Sequence, residues 1–386
     1  MCKACPTIDW AELLPTVRSF TARRVTDAMA EHIVWYDRYQ QDQKPLVGGK
    51  NASLGEMMMA QLPVPPGFAV TIDAYQRIWS DRALVDAVND LLRTIDHDEY
   101  VANQAISEKI RALIESVPVP EVVVADVSEA YETLCKHCEV DDVPVAVRSS
   151  ATAEDLPDAS FAGQQDTFLW IRGADSVVHH VRRCWSSLFT DRAIAYRHAK
   201  GYLHQAIAMS VGVQKMVDPI AAGVAFTLNP SNGDRSQVAI DASWGLGEAV
   251  VSGEVTPDNY LVDKVIHEIV SRKVSDKAIE YRLNDHGVVE KLEVEAERRT
   301  IACLSDADLK AIAQLARRAE KHYGCPQDVE WAIDRHLPTG ENVVMLQSRP
   351  ETVWSNKPVT PIAKSASTGI SSIVSTLLSP MHTKRP

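Results

Sequence analysis

The chain has 386 residues and a net charge of −12, from 40 lysines and arginines against 52 aspartates and glutamates. It contains no long basic run, which disfavours nucleic acid and anionic membranes as its main partners. Residues 1–10 lack the apolar core of a signal peptide and no window approaches a membrane span, so we expect a cytoplasmic protein. Seven cysteines, an odd number, favour reduced thiols. The length allows two or three domains with substantial cores.

The first part of the chain mixes helical and extended patterns. Residues 1–40 predict a helical extension that ends in a strand-like segment over 32–36. Residues 46–47 predict a short strand, which leads through a Gly-Gly turn into a helix. Prolines exclude helix from residues 63–70 and predict a rigid turn followed by a strand.

Hydrophobic periodicity predicts the regular elements in the middle of the chain. Apolar residues recur at helical spacing in some segments, while others read as β segments bounded by turn residues. Between two of these β segments, residues 214–219 are suited to a hinge between subdomains. The pattern predicts helices over 71–140 and 175–201 and strands over 207–217, 223–227 and 237–244.

The last third of the chain has clear boundaries. Ser305 is placed to cap an amphipathic helix that ends at Gly324. Residues 329–334 and 343–347 flank a turn with proline and glycine and predict a β-hairpin. After Trp354, serine, threonine, proline and lysine prevail. We predict a helical extension over 1–40, subdomains over 41–216 and 217–354, and a linker or docking tail over 355–386.

Two basic residues lie in settings that suit phosphate. A hydrophobic strand delivers Arg148, and the small polar residues after it offer backbone N–H groups to a polyphosphate. A plain small-residue turn is the alternative explanation of this block. Lys50 follows two glycines, which let the backbone come close to a phosphate while the ammonium reaches it. The Walker A spacing is missing, which disfavours a P-loop fold.

The predicted hairpin carries hard oxygen ligands. Because alternate residues of a strand share one face, Asp328 lies beside Glu330, and Gln347 lies beside Arg349. If the two strands pair, two carboxylates, an amide and a guanidinium meet, a set that could hold Mg²⁺ and contact a phosphoryl oxygen. The alternative is an ion-pair ladder on the surface, which would contribute little to stability.

The order of the motifs resembles the nucleotide-binding module of the dikinase family, which includes phosphoenolpyruvate synthase, pyruvate phosphate dikinase and rifampicin phosphotransferase. The resemblance covers roughly residues 45 to 354. Seven co-linear motifs are far more specific than any single one. They occupy residues 47–57 (Val-Gly-Gly-Lys-Asn-Ala-Ser-Leu-Gly-Glu-Met), 65–68, 148–167, 229–230, 245–248, 327–331 and 346–350.

The resemblance implies an α+β chain with an ATP-grasp fold, in which two subdomains clamp ATP together with Mg²⁺. It implies that three cationic residues contact the phosphates and act in catalysis. It also implies that further residues contact the nucleotide and the metal. The implied residues are Lys50, Arg148 and Arg349 for the phosphates, Gly163 and Thr167 for the phosphate loop, Gln214, Met216 and Val217 for the adenine, and Glu330 and Gln347 as metal ligands with Asp328 beside them.

In enzymes of this family, ATP passes its β-phosphoryl group to a histidine on a swivelling domain, giving AMP and phosphate. That histidine lies in a Gly-Gly-x-Thr-x-x-x-His-like loop, and none of the twelve histidines of this chain has that context. We therefore expect the chain to act only with a separate subunit that carries the swivelling histidine.

Three functions stay open on this basis, and we expect the first of them. The first is the ATP-binding subunit of a two-component phosphotransferase similar to phenylphosphate and alkylphenol phosphate synthases of aromatic degradation, whose small-molecule acceptor is a phenol-type hydroxyl. The second is the stand-alone nucleotide-binding module of a phosphoenolpyruvate synthase or rifampicin phosphotransferase. The third is a non-catalytic nucleotide-sensing scaffold, which the joint presence of Lys50, Arg148, Glu330, Gln347 and Arg349 disfavours.

Overall fold

The computed structural model describes residues 32–95, 100–151, 155–156, 159–160, 166–199, 207–284 and 288–354. Most of the predicted helical extension and the whole predicted tail lie outside these residues. The described elements are helices and antiparallel sheets, which confirms the expected α+β class. The clamp of two subdomains and the domain boundaries stay predictions. Among the described helices, none combines the length and apolar character that crossing a bilayer requires.

The described strands form two larger antiparallel sheets and two small hairpins. The first sheet has the strand order β1-β2-β7-β3-β6 and the second has the order β11-β10-β9-β8-β14-β15. The strands are β1 (Ile33–Trp35), β2 (Gly67–Val70), β3 (Val145–Ala151), β4 (Asp155–Leu156), β5 (Ala159–Ser160), β6 (Thr167–Ile171), β7 (Met209–Lys215), β8 (Pro219–Phe226), β9 (Gln237–Trp244), β10 (Asp258–Asp263), β11 (Ile269–Lys273), β12 (Ile279–Leu283), β13 (Val289–Glu293), β14 (Gln327–Asp334) and β15 (Val343–Pro350).

The helices in the middle of the chain follow the predicted order, and the last described helix is long and capped. They are α1 (Lys44–Met59), α2 (Ile72–Ile78), α3 (Arg82–Leu92), α4 (Tyr100–Ser116), α5 (Glu121–Cys138), α6 (Ala174–Ser186), α7 (Asp191–Ala199), α8 (Glu248–Val251), α9 (Ala296–Arg299) and α10 (Asp306–Tyr323), with short 3-10 turns at Tyr36–Arg38, Gln41–Gln43 and Ser187–Phe189.

The first sheet is covered on one face by helices α2 to α7, which form its apolar core. In β3, the side chains of Val145 and Val147 are fully buried in this core. Since successive side chains of a strand point to opposite faces, Arg148 lies on the other face, away from these helices. The core thus fixes the direction in which Arg148 points.

The second sheet has its own core on one face. Helix α10 packs there through Leu309 and Ile312, against Val329 and Trp331 of β14. The alternation of β14 therefore places Asp328 and Glu330 on the opposite face of the sheet, where both are only partly buried. This face carries the predicted metal ligands.

Helix α1 connects the two sheets. It packs on the face of the first sheet that carries Arg148, and it contacts the edge strand β15 of the second sheet. Its apolar residues belong to the same buried cluster as those of α10, so this cluster spans both halves of the described chain.

The prediction of a strand over residues 46–47 is wrong, because these residues belong to the first turn of α1. Pro45 lies at the start of this helix, where its missing N–H group costs nothing. Gly48 then interrupts the helix with a φ of 71° and a ψ of 171°, a backbone conformation that only glycine adopts readily. The Gly-Gly pair therefore kinks a helix and does not separate a strand from one.

Other predicted elements are confirmed. Strand β9 covers Gln237–Trp244, and strands β14 and β15 pair as the predicted hairpin. Ser305 forms a capping box with Asp308 at the start of α10, and Gly324 ends that helix with a φ of 69°. Here the local signals of caps and alternation suffice to define the elements.

A matched pair of glycine substitutions tests the kink of α1. A Cβ on Gly48 would lie 2.5 Å from the Ser150 carbonyl oxygen, whereas a Cβ on Gly324, which has nearly the same φ, meets nothing within 4 Å. Gly48→Ala should therefore lower the free energy of unfolding by about 3 kcal/mol or more, since strain and a steric clash add. Gly324→Ala should cost about 1 kcal/mol. Urea unfolding measures both, and equal losses would contradict the role of the contact with Ser150.

Candidate functional site

Arg148 connects the first sheet to the hairpin of β14 and β15. One terminal nitrogen, Nη2, donates to the Gln347 amide oxygen Oε1 at 2.7 Å, and Nη1 donates to the Leu346 carbonyl at 3.4 Å. Nη2 also lies 3.9 Å from Oε2 of Glu330. Two residues that are about two hundred positions apart in the sequence thus meet through charge-assisted hydrogen bonds, which are stronger than neutral ones.

A β-bulge explains why the Leu346 carbonyl is available. Glu330 pairs with Gln347, but the next residue, Trp331, pairs with Met345, so Leu346 is the extra residue of the bulge. An extra residue leaves the regular ladder of hydrogen bonds, and bulges are common beside functional sites. Here the bulge turns a backbone acceptor toward the Arg148 guanidinium.

Glu330 lies between two arginines. Its oxygen Oε1 accepts a hydrogen bond from Nη2 of Arg349 at 2.9 Å, while Oε2 faces Arg148. The Arg148 and Glu330 side chains are 20% and 25% exposed, so a ligand can reach them although water screens them only partly. The two guanidinium groups can contact an anionic ligand, and the Glu330 carboxylate balances one of their charges.

Asp328 lies beside this pair in an uncompensated setting. It pairs across the strands with Arg349. Its oxygen Oδ1 is buried and, within the described part of the chain, makes no hydrogen bond. Burial raises the pKa of Asp328 to about 6, helped by the negative charge of Glu351 and opposed by Arg349. A buried carboxylate oxygen with no partner is a natural ligand for a cation.

The described oxygen donors fit a magnesium ion that is shared with phosphate. No group of three or more histidine, cysteine, aspartate or glutamate side chains within the described residues is arranged to hold a metal alone. Mg²⁺ is usually bound through one or two carboxylates together with substrate phosphates, so Glu330, Asp328 and the Gln347 amide are a sufficient set. Their assignment as ligands stays a prediction.

Lys50 lies close to the strand that carries Arg148. Its ammonium Nζ is 3.5 Å from the Ser149 carbonyl oxygen. Nine residues, including Lys50, Arg148 and Gln347, enclose a cavity of about 10 Å³, which is room for roughly one water molecule. A triphosphate can enter this space only if the Arg148 side chain or strand β15 moves. Lys50 and Arg148 thus line the same small cavity.

Ser53 joins the helix of Lys50 both to the strand of Arg349 and to helix α10. Ser53, one turn after Lys50, donates from its hydroxyl to the Ser348 carbonyl at 2.9 Å. The Tyr323 hydroxyl of α10 lies 3.3 Å from the same Ser53 oxygen. Sequence reasoning missed Ser53 and Tyr323. The only available signal was a short polar residue in a helix that otherwise packs apolar residues, and such residues are common.

The predicted phosphate loop is described in part. Thr167 pairs with Arg148 across strands β3 and β6, so it lies next to the arginine on the neighbouring strand. Gly163 lies outside the described residues. The phosphate roles of Gly163 and Thr167 stay predictions.

The predicted adenine segment comprises the end of strand β7 and the residues that follow it. The side chain of Gln214 is buried and donates to the Pro65 carbonyl at 3.2 Å, and the Met216 N–H donates to the Pro144 carbonyl at 2.8 Å. Val217 is buried in a small apolar cluster. A base could therefore contact only the remaining backbone groups and the apolar side chains of this segment. The adenine role stays a prediction.

The comparisons with known proteins concern most of the chain. Residues 44–369 match the family described as "Pyruvate phosphate dikinase, AMP/ATP-binding domain". Over 326 residues the chain is 46% identical to a probable phosphoenolpyruvate synthase of Methanothermobacter thermautotrophicus, covering 84% of this chain and 47% of that protein. It is 45% identical over 345 residues to a probable phosphoenolpyruvate synthase of Staphylothermus marinus, covering 84% of this chain and 41% of the relative.

A third relative has the same name without the qualifier. The phosphoenolpyruvate synthase of Aeropyrum pernix is 41% identical over 350 residues, which cover 84% of this chain and 43% of the relative. The chain therefore spans less than half the length of these three relatives. All the residues of the candidate site lie within the matched range.

The raised pKa of Asp328 gives a stability prediction. Between its ordinary value of 3.8 and about 6, the folded protein keeps a proton on Asp328 that the unfolded chain releases, so stability falls as the pH rises through this window. Asp328→Asn removes this loss. The variant should be more stable than the native chain at neutral pH, by about 2 kcal/mol, and the difference should shrink toward about pH 4. Urea unfolding across this range tests it, and a pH-independent difference would contradict it.

Proposed function

The chain belongs to the family of pyruvate phosphate dikinase AMP/ATP-binding domains, and we propose that it is the nucleotide-binding module of a dikinase of the phosphoenolpyruvate synthase type. The observation that carries the proposal is the position of Glu330 between Arg148 and Arg349, with Gln347 bonded to the first arginine. Cations and oxygen ligands in alternation are what a magnesium–polyphosphate complex needs. The names of the relatives favour pyruvate as the final acceptor.

The residues of the site would act by neutralising and aligning charge. In the proposed reaction, the nitrogen of an acceptor histidine forms a bond with the β-phosphorus of ATP, and the bond from that phosphorus to the oxygen of the α-phosphate breaks. AMP leaves, and the histidine holds the β- and γ-phosphates as a diphosphate. Water then cleaves the bond between these two phosphates, which releases phosphate. Arg148, Arg349 and Lys50 would hold the phosphate oxygens in line as negative charge shifts between them. A magnesium ion on Glu330 and Gln347 would supply further neutralisation. No nucleophile from this site is required.

Nucleotide binding would change the partners of both arginines. In the described arrangement their positive charges face Glu330. When phosphate oxygens replace Glu330 as the hydrogen-bond acceptors of the arginines, the Glu330 carboxylate becomes free to bind the metal. Nucleotide and metal would therefore occupy the site as one complex, since either alone leaves a half-buried charge without a partner.

The acceptor histidine is proposed to lie outside the described residues, on a separate subunit or another domain that binds this chain. The relatives are more than twice the length of the matched region, so they have room for such a domain. The phenol-type acceptor expected from the sequence has no support in the names of the relatives, which favour the phosphoenolpyruvate synthase alternative. The cytoplasmic location stays an expectation.

A conservative substitution tests the proposed function. The tagged chain is isolated from its host together with the protein that carries the histidine, and AMP release from Mg-ATP is measured with pyruvate or with phenol. Glu330→Gln keeps the shape but removes the charge that holds metal and arginines, so AMP release should fall by about a hundredfold or more. Glu341→Gln, in the exposed turn of the same hairpin, should leave the rate unchanged.

The outcomes of this assay separate the alternatives. AMP release that depends on pyruvate supports the phosphoenolpyruvate synthase type, and release that depends on phenol supports the two-component phenol enzyme. A rate for Glu330→Gln within about twofold of the native rate would refute the assigned site, because removing one stabilising charge from a phosphoryl-transfer site costs far more than that.

A further inference from the structure

A buried hydrogen-bond network surrounds Asn51, the residue after Lys50. The Tyr36 hydroxyl donates to the Asn51 oxygen Oδ1 at 2.9 Å, and the Asn51 nitrogen Nδ2 donates to the Ser210 hydroxyl at 3.0 Å. Ser210 in turn donates to the Val70 carbonyl at 2.8 Å. Asn51 is only 3% exposed, and every polar atom of its side chain has a partner. The Asn51 side chain is therefore held by strand β7 of the first sheet and by the turn after β1.

The network fixes the orientation of the Asn51 amide. The Ser210 hydroxyl proton points to Val70, so only its lone pairs face Asn51 and the amide must present its NH₂ group there. Burial raises the pKa of Tyr36 far above its usual range, so its hydroxyl stays neutral and remains a donor to the amide oxygen. A flipped amide would leave both contacts unmatched, which is costly in a buried site.

The backbone of α1 is attached to the strand of Arg148 at the same point. The Asn51 N–H donates to the Ser150 hydroxyl at 3.4 Å, and that hydroxyl donates to the Val47 carbonyl at 3.1 Å on the other side of the kink. Ser150 pairs with Ser210 across β3 and β7, and Arg148 pairs with Gly212. Asn51 thus attaches helix α1 to Ser150, which lies two residues after Arg148 on strand β3.

Close packing prevents this attachment from sliding. A Cβ on Gly212 would lie 2.4 Å from Oδ1 of Asn51, so the amide lies directly on the backbone of β7. With the kink at Gly48 held against Ser150, the start of α1 has one position on the sheet. Lys50 directly precedes Asn51, so this attachment sets the point at which the Lys50 side chain leaves the backbone, on the same face of the sheet as Arg148.

We propose that Asn51 is a positioning residue for nucleotide phosphates: it holds Lys50 and Arg148 at the spacing that a polyphosphate requires. The proposal rests on the proposed function of the site. The plain alternative is that Asn51 only satisfies buried polar groups and stabilises the fold. The two roles predict different effects when Asn51 is lost. Loss of a positioning residue weakens the phosphate contacts that are made through Lys50. Loss of a purely structural residue weakens every ligand contact or none.

A double-mutant cycle distinguishes these roles. The affinity of the full chain for Mg-ATP and for adenosine is measured by calorimetry for the native protein, Asn51→Ala, Lys50→Met and the double variant. Asn51→Ala should weaken Mg-ATP about tenfold and change adenosine by less than about twofold, because adenosine has no phosphate. In the Lys50→Met background, Asn51→Ala should have no further effect on Mg-ATP.

A matched control distinguishes the proposed role from the general effect of losing a buried asparagine. Asn89 is 6% exposed and lies on α3, against the opposite face of the first sheet, so Asn89→Ala should leave both affinities unchanged. If Asn51→Ala does not fold, Tyr36→Phe takes its place, since it removes only the hydroxyl that donates to Asn51. It should weaken Mg-ATP about threefold, again only when Lys50 is present.

Three results would overturn the proposal. They are a folded Asn51→Ala or Tyr36→Phe variant with native Mg-ATP affinity, equal losses for Mg-ATP and adenosine, and an undiminished loss in the Lys50→Met background. Failure of the proposed site itself would look different, because Lys50→Met alone would then leave the Mg-ATP affinity at its native value.

Discussion

The arrangement of the site depends on one constraint: two guanidinium groups that approach the same carboxylate need its negative charge between them. Glu330 supplies it, with one oxygen toward Arg349 and the other toward Arg148. Without this carboxylate, the two guanidinium groups would repel each other in a setting that water screens only partly. A ligand that brings its own negative charge can take over this role. In the proposed function, the same two cations that Glu330 balances would contact the phosphates of the nucleotide.

The rest of the fold places these groups without touching the ligand itself. Helix α10 buries one face of β14, which forces Glu330 to the other face. The helices on the first sheet do the same for Arg148, and the bulge at Leu346 provides it with a backbone acceptor. Helix α1 then adds Lys50 between the sheets, fixed by Asn51 on one side and Ser53 on the other. Two apolar cores and one kinked helix therefore determine where three cations lie.

Part of this could be predicted from the sequence, for physical reasons that differ between elements. The hairpin of Asp328 and Glu330 was predictable because alternation and turn residues act over a few positions. The strand predicted over 46–47 was wrong because a Gly-Gly pair is compatible with either a turn or a helix kink. The contacts of Ser53 with Tyr323 and of Asn51 with Ser210 join residues 270 and 159 positions apart, and no periodic pattern reports such pairs. The roles of individual site residues rest on resemblance.

The most direct test of this account is a crystal structure of the chain with Mg²⁺ and a non-hydrolysable ATP analogue. The account predicts that Arg148 and Arg349 leave Glu330 for phosphate oxygens and that Glu330 and Gln347 bind the metal. The adenine should lie along residues 214–217. A structure in which Glu330 still bridges the two arginines, with the nucleotide bound elsewhere, would contradict it.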